Sequence, residues 1–166
     1  MTETRTVRLR PPRNPVERRA VTWWAVRAAA VTGAAAVVLA VLALLIGPLR
    51  PWLLAALVLV VLGGAAYAVV VPRIRYQVHR WEVTLDAVYA RRGWFLQQWR
   101  IAPMSRIQTV DTVRGPLEQR FRLATVTVTT ASAKGPVRID GLDHERAEEL
   151  VRKLTAVTQA TDGDAT

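Results

Sequence analysis

The sequence predicts an α+β protein: a transmembrane helical hairpin followed by an antiparallel β-barrel or sandwich that a C-terminal helix caps. Three observations carry this. Two runs without a charged residue, Ala28 to Leu49 and Pro51 to Pro72, follow one another. From Arg75 the polarity pattern changes to an alternation of period two, the period of a half-buried strand. From Asp143 it changes again, to the 3.6-residue spacing of an amphipathic helix.

The apolar runs account for a composition that is 51% hydrophobic in a chain of 166 residues. At about 1.5 Å per residue, a helix needs roughly 20 apolar residues to cross about 30 Å of hydrocarbon, and each run meets that length. "GPLRP" (Gly47 to Pro51) separates them, with two prolines that break a helix and an arginine that is costly at the bilayer centre. Small residues four apart (Ala29 and Gly33, Ala36 and Ala40, Gly64 and Ala68) offer a close-packing face between the spans. The division read from this is a basic arm over residues 1–27, a two-span hairpin over 28–72, a soluble domain over 73–158 and a disordered tail over 159–166.

The net charge is +10, and half of it lies before Ala28, where seven Arg face two Glu. Arg13, Arg18, Arg19 and Arg27 precede the first span and Arg73, Arg75 and Arg80 follow the second, while the turn holds Arg50 alone. Positive residues stay on the cytoplasmic side, so both termini and the domain are placed in the cytoplasm, at the plasma (inner) membrane. A cleaved signal peptide is the rival, but the first run starts late, is long, and a second span follows at once. The arm from Arg5 to Arg19, interrupted by Pro11, Pro12 and Pro15, reads as an unfolded tether held near anionic headgroups by charge. Trp23, Trp24 and Trp52 suit the membrane interface.

In the soluble part, "RYQVHRW" alternates loosely. "AVYARRGWFLQQWRIAP" reads as two strands around a turn at Arg92-Gly93, and Pro103 ends the second. "RIQTVDTV" turns Ile107 and then Val110 or Val113 inward. Pro116 opens a helical turn. In "LATVTVTT", Ala124, Val126 and Val128 face one side and Thr125, Thr127 and Thr129 the other. Lys134-Gly135-Pro136 is a turn before the last strand, "VRIDG". Asp143 caps the final helix, whose buried stripe is Ala147, Leu150, Val151 and Leu154. Glu148 with Arg152 and Glu149 with Lys153 are favourable i,i+4 pairs.

"PMSRIQTVD" (Pro103 to Asp111), "GPLEQRFRLATVTVTT" (Gly115 to Thr130) and "IDGLDHERAEEL" (Ile139 to Leu150) resemble the bacterial pleckstrin-homology-like membrane proteins of the YdbS type. The resemblance covers Arg18 to Leu154 and extends to the pair of spans. It implies a cytoplasmic pleckstrin-homology-like domain and no enzyme activity.

Chemistry-bearing residues are sparse. With no cysteine, disulfides, thiolate metal sites and a thiol nucleophile are excluded. His79 and His144 lack converging partners for a metal. Ser105 and Ser132 lack a nucleophile elbow. Asp111, Asp140 and Asp143 could cluster in space, but Asp140 and Asp143 flank a turn and a helix start, where Asp is routine. No catalytic residue, cofactor, metal or small-molecule substrate is assigned, and no nucleic-acid motif is present. The stretch "WEVTLDA" carries no Lys or Arg, which argues against the inositol-phosphate site of eukaryotic pleckstrin-homology domains. The functional reading is a module that binds protein partners at the membrane, as an adaptor, a complex subunit or a homo-oligomer. The alternative is an anionic-lipid sensor. Its candidate surface contacts are Arg18, Arg19, Trp23, Trp24, Trp52, Arg73, Arg91, Arg92, Trp94 and Phe95, the last four on a hairpin tip that either touches lipid or folds back over the barrel end.

Overall fold

The computed structural model describes residues 12–131 and 135–163, with the side chains of the last helix described as far as Val157. The candidate arginines Arg5, Arg8 and Arg10 of the tether, Lys134 and Ser132 lie outside the described residues. The chain begins with a two-residue strand β1 (Asn14–Pro15), followed by helix α1 (Arg19–Leu45) and helix α2 (Arg50–Val78). Strands β2 (Arg80–Val83), β3 (Ala87–Arg92) and β4 (Gln98–Pro103) come next, then β5 (Ile107–Val113), the short helix α3 (Pro116–Arg120), β6 (Leu123–Thr130), β7 (Val137–Asp143) and helix α4 (His144–Gly163).

Both long helices are long and apolar enough to cross a membrane, and a turn of 3-10 helix at Gly47–Leu49 joins them. With 27 and 29 residues, they are about 40 Å long, roughly 10 Å more than a bilayer core requires. The surplus lies at the end that carries the domain. There α1 starts at Arg19, nine residues before the predicted span, because Ala20, Trp23 and Trp24 recur at i, i+3 and i+4 and bury one face. At the other end of the surplus, α2 runs through Pro72 to Val78, where the sequence places the span's end at Pro72 and a strand from Arg75. Pro72 has no N–H to donate back along the helix, yet it is buried, and packing holds the turn. The Arg73 guanidinium donates to the Val69 carbonyl, beside the acceptor that the proline leaves without its usual partner. The first strand of the domain after the spans therefore starts at Arg80 and not at Arg75.

Between the helices, Gly64 meets Thr32 so closely that a Cβ at Gly64 would collide with that side chain. Ala29, Gly33, Ala36, Gly64 and Ala68 line the same interhelical seam, as their spacing predicts.

The domain consists of two antiparallel sheets, β1-β2-β3-β4 and β5-β6-β7, packed as an open sandwich. They do not close into a barrel. The core lies between them and beneath α4, around Val88, Ala102, Val126, Val128, Ile139 and Leu154, with Leu150 beside it. The β6 alternation holds: Ala124, Val126 and Val128 are buried, with Thr127 and Thr129 half-buried opposite. Thr125 is buried as well, for a reason given below. In β5 it is Val110 that packs on the core, while Val113 is 51% exposed. A register shift between Ile107 and Thr109 sets that parity.

Asp143 caps α4 as predicted, its Oδ1 accepting from the Glu145 N–H at 3.1 Å. Ala147, Leu150 and Leu154 are buried, and Val151 packs beside them. Glu148–Arg152 and Glu149–Lys153 pair at 3.9 and 2.6 Å. The helix continues to Gly163, so residues 159–163, predicted as tail, are helical, and residues 164–166 lie outside the described part.

The predicted unfolded tether is also corrected at its inner end. Asn14 and Pro15 pair with Trp81 and Arg80, extending the first sheet. Val16 is 2% exposed against Trp23, Trp24 and Leu123. Burying Val16 beside α1 outweighs the freedom of a basic, proline-rich segment.

Val128→Ala or Leu150→Ala should destabilise the domain by about 2–4 kcal/mol through lost burial and a cavity. Thr127→Ala should cost within about 1 kcal/mol. Denaturant melts of the three variants in detergent check this; a larger loss at Thr127 would mean that the register of β6 is off by one residue.

Candidate functional site at the membrane junction

The domain-proximal ends of α1 and α2 are clasped by the sandwich. Gly141, in β7, has φ +76°, a left-handed conformation that favours glycine, and a Cβ there would lie 2.7 Å from the Ala20 Cβ. The helix thus lies directly on the strand's backbone. The Glu17 N–H donates to the Gly141 carbonyl at 3.0 Å. Two ion pairs flank the contact, Arg19 with Asp143 at 2.5 Å and Arg146 with Glu17 at 2.8 Å.

Beside this clasp four elements bring arginine side chains around a cavity of about 320 Å³. Arg27 comes from α1, Arg75 from α2, Arg92 from the end of β3, and Arg138 and Asp140 from β7. Arg75 lies over the Trp24 ring at 4.5 Å and reaches Asp140 at 3.4 Å. On the wall opposite α1, Glu118 is 7% exposed and Thr125 3%. Both oxygens of that carboxylate are engaged: Thr125 Oγ1 donates to Oε1 and the Gly115 N–H to Oε2, each at 2.7 Å. This pairing is why Thr125 is buried on the polar face of β6. The side chains of Arg27, Arg92 and Arg138 form no hydrogen bond or ion pair with the described residues.

Below the cavity, toward the apolar runs, a second space of about 550 Å³ opens between α1 and α2. Arg27 and Arg75 stand in both.

The hairpin tip follows Arg92. Gly93 has φ +106°, which permits the chain to turn, and the loop extends to Gln97 before β4 begins. Trp94 is 45% exposed, Phe95 83% and Leu96 72%, so the tip does not fold back over the sandwich end. Instead Trp94 meets Tyr67 of α2 edge-on, ring centroids 6.3 Å apart at 89°. Tyr67 lies inside the second apolar run.

The ten residues singled out from the sequence fall in different places. Trp94 and Phe95 form the exposed tip, and Arg92 lines the cavity behind it. Arg91 is tied across the hairpin, donating to Gln97 Oε1 at 2.7 Å and lying over Trp99. Trp52 is exposed at the far end of the hairpin, 76% accessible, and Arg73 folds onto its own helix. Arg18 and Arg19 sit at the start of α1, Arg19 bound to Asp143 and Arg18 on a groove beside α4. Trp23 and Trp24 are 7% and 5% exposed, which corrects their reading as surface contacts: they are the wall between helix and domain. Sequence reasoning missed Arg75, Arg138, Asp140, Glu118 and Tyr67 as neighbours. Arg27 had a readable signal, as the last charge before the apolar run, and Arg92 was already among the ten.

A pair of membrane-length helices fused to a two-sheet sandwich with a closing helix defines a membrane-anchored pleckstrin-homology-like protein. Residues 25–158 match the bacterial PH domain family, and the chain belongs to it. The chain is similar to the transmembrane protein YdbS of Bacillus subtilis (strain 168), 34% identical over 103 residues, which are 62% of this chain and 64% of that relative. The matched stretch thus covers under two thirds of the relative's length. No solved structure matches the chain.

His79, read as a strand residue, caps the end of α2 and is 1% exposed. Burial pushes its pKa down from 6.5 to about 4, with Arg75 and Arg92 adding to the fall and Asp140 opposing it. The unfolded chain therefore binds the proton more readily than the folded one between pH 6.5 and 4. Stability is fully present above pH 6.5 and is lost as pH falls toward 4. Thermal melts in detergent from pH 7.5 down to pH 4 should show this loss, and His79→Phe should flatten that slope. A slope unchanged in the variant would assign the acid sensitivity to other groups.

Proposed function

We propose that the protein is a non-catalytic lipid-surface module of the inner membrane, with both termini and the pleckstrin-homology-like domain on the cytoplasmic side. The domain rests on the leaflet, and its β3–β4 tip sits in the interface. The observation that carries this reading is the Trp94–Tyr67 contact, which sets an exposed Trp-Phe-Leu tip level with a residue of a membrane-length helix. Aromatic rings with one polar edge prefer that depth, and Phe95 and Leu96 are exposed. Arg91 and Arg92 precede the tip, at the end of β3, and suit the headgroup layer. The arginine asymmetry across the spans supports the orientation.

The cysteine-free chain permits single spin labels. In vesicles, a label at Phe95 should be more accessible to membrane-soluble oxygen than to a water-soluble relaxant. A label at Leu85, 92% exposed in the β2–β3 turn, should show the reverse. A Phe95 label as wet as the Leu85 label would sink the proposal.

A second reading, a protein partner docked on the domain, is favoured by a groove of about 720 Å³ between the β1–β2 edge and α4, where Tyr76, Val83, Leu150 and Lys153 stand. A partner strand added there would need the open part of the β2 edge. A protein that copurifies from membranes with the native chain, and is lost when Val83 is changed to Arg, would promote this reading over the first.

A further inference from the structure

We infer that the junction binds one anionic phospholipid, with its phosphate among Arg27, Arg92 and Arg138 and an acyl chain in the groove between α1 and α2. This rests on the reading that the domain lies on the leaflet, and it names what the domain holds there.

The charge balance is the first argument. The upper cavity is walled by four arginines and two carboxylates. Glu118 is satisfied by Thr125 and Gly115, and Asp140 by Arg75. Three guanidiniums remain with no partner among the described residues, on α1, β3 and β7 around one cavity. Guanidinium forks match phosphate oxygens in geometry, and charge-assisted bonds to them are the strong kind. A volume of about 320 Å³ lies at the small end of ligand pockets and fits a headgroup.

The second argument is what lies beneath. The lower space, about 550 Å³, shares Arg27 and Arg75 with the upper one. Below them its walls are Ala28, Val31, Thr32, Gly64, Tyr67 and Val71, a mainly apolar lining that shares Thr32 and Gly64 with the seam between the helices. A free anion would use only the upper half. An amphiphile with a phosphate above and a hydrocarbon chain below uses both, and Arg27, last charge before the apolar run, stands where the two meet. Trp24 adds a buried indole Nε1–H beside the lower space, without a protein acceptor among the described residues.

The site is distinct from the turn after the first strand of the domain, Thr84 to Asp86, which holds no basic residue and is closed by Thr84 Oγ1 accepting from the Ala87 N–H at 3.1 Å.

Native mass spectrometry of the full chain, released from micelles doped with equal phosphatidylglycerol and phosphatidylcholine, tests the proposal. One phosphatidylglycerol should be retained per chain, preferred roughly tenfold. Arg92→Gln with Arg138→Gln should abolish the preference while the melting midpoint in lipid-free detergent stays in place, since neither side chain holds the fold together. Val31→Trp, which fills the lower groove, should abolish retention with both arginines intact. Phe95→Asn lines neither cavity and should leave retention unchanged, so a failure of the tip in the membrane and a failure of this site read out separately. Equal retention of the two lipids by the native chain, or an unchanged preference in the double variant, would overturn the assignment. Inorganic phosphate should neither stabilise the protein nor displace the lipid; stabilisation by phosphate equal to that by phosphatidylglycerol would reassign the site to a free anion and overturn the lipid.

Discussion

The contact between Ala20 and Gly141 is the constraint on which the rest of the architecture depends. A membrane helix and a soluble sandwich joined only by a linker would move independently. Here α1 lies on bare strand backbone, because glycine leaves the space and accepts the positive φ. Val16, Trp23, Trp24 and Leu123 then close around the contact as a core of their own. The ion pairs of Arg19 and Arg146 are partly exposed and add about 1 kcal/mol or less each. Their value is directional: they lock the rotation of α1 against β7 and α4, which apolar burial leaves free.

Fixing α1 fixes everything beyond it. The antiparallel α2 packs along α1 at the Gly64–Thr32 approach, so its end is set too. The β2–β3–β4 sheet follows directly from α2 through His79. The hairpin loop, the arginine cavity and the interhelical groove are therefore positioned by one rigid junction. That rigidity also explains the helix lengths. A hairpin of minimum length would leave no surplus turns to be gripped.

Much of this was legible in the sequence, and what was not has a physical cause. The two spans, the β6 alternation, the Asp143 cap and the α4 stripe are patterns of local period, which one sequence displays. The segment from Arg75 to Val78 misled because its alternating polarity is as compatible with a helix packed on two sides as with a strand, and the helix won by burying Val78 against the domain. Trp23 and Trp24 have the composition of an interfacial belt, and only the fold shows that the domain covers them. The arginine cavity was invisible for a stricter reason. Arg27, Arg92 and Arg138 are separated by 65 and 46 positions, and no spacing rule joins residues that a bulged strand, a hairpin end and a membrane helix bring together.

The central claim is that the membrane hairpin and the domain move as one body. Pulsed electron paramagnetic resonance tests it most directly, with one spin label at Trp52 at the far end of the hairpin and one at Leu85 on the outer side of the domain, in vesicles. Both positions are exposed, so neither label disturbs packing. The account predicts a single narrow distance distribution that broadens when Gly141 is changed to Val. A broad or multimodal distribution in the native chain, unaltered by that substitution, would contradict it.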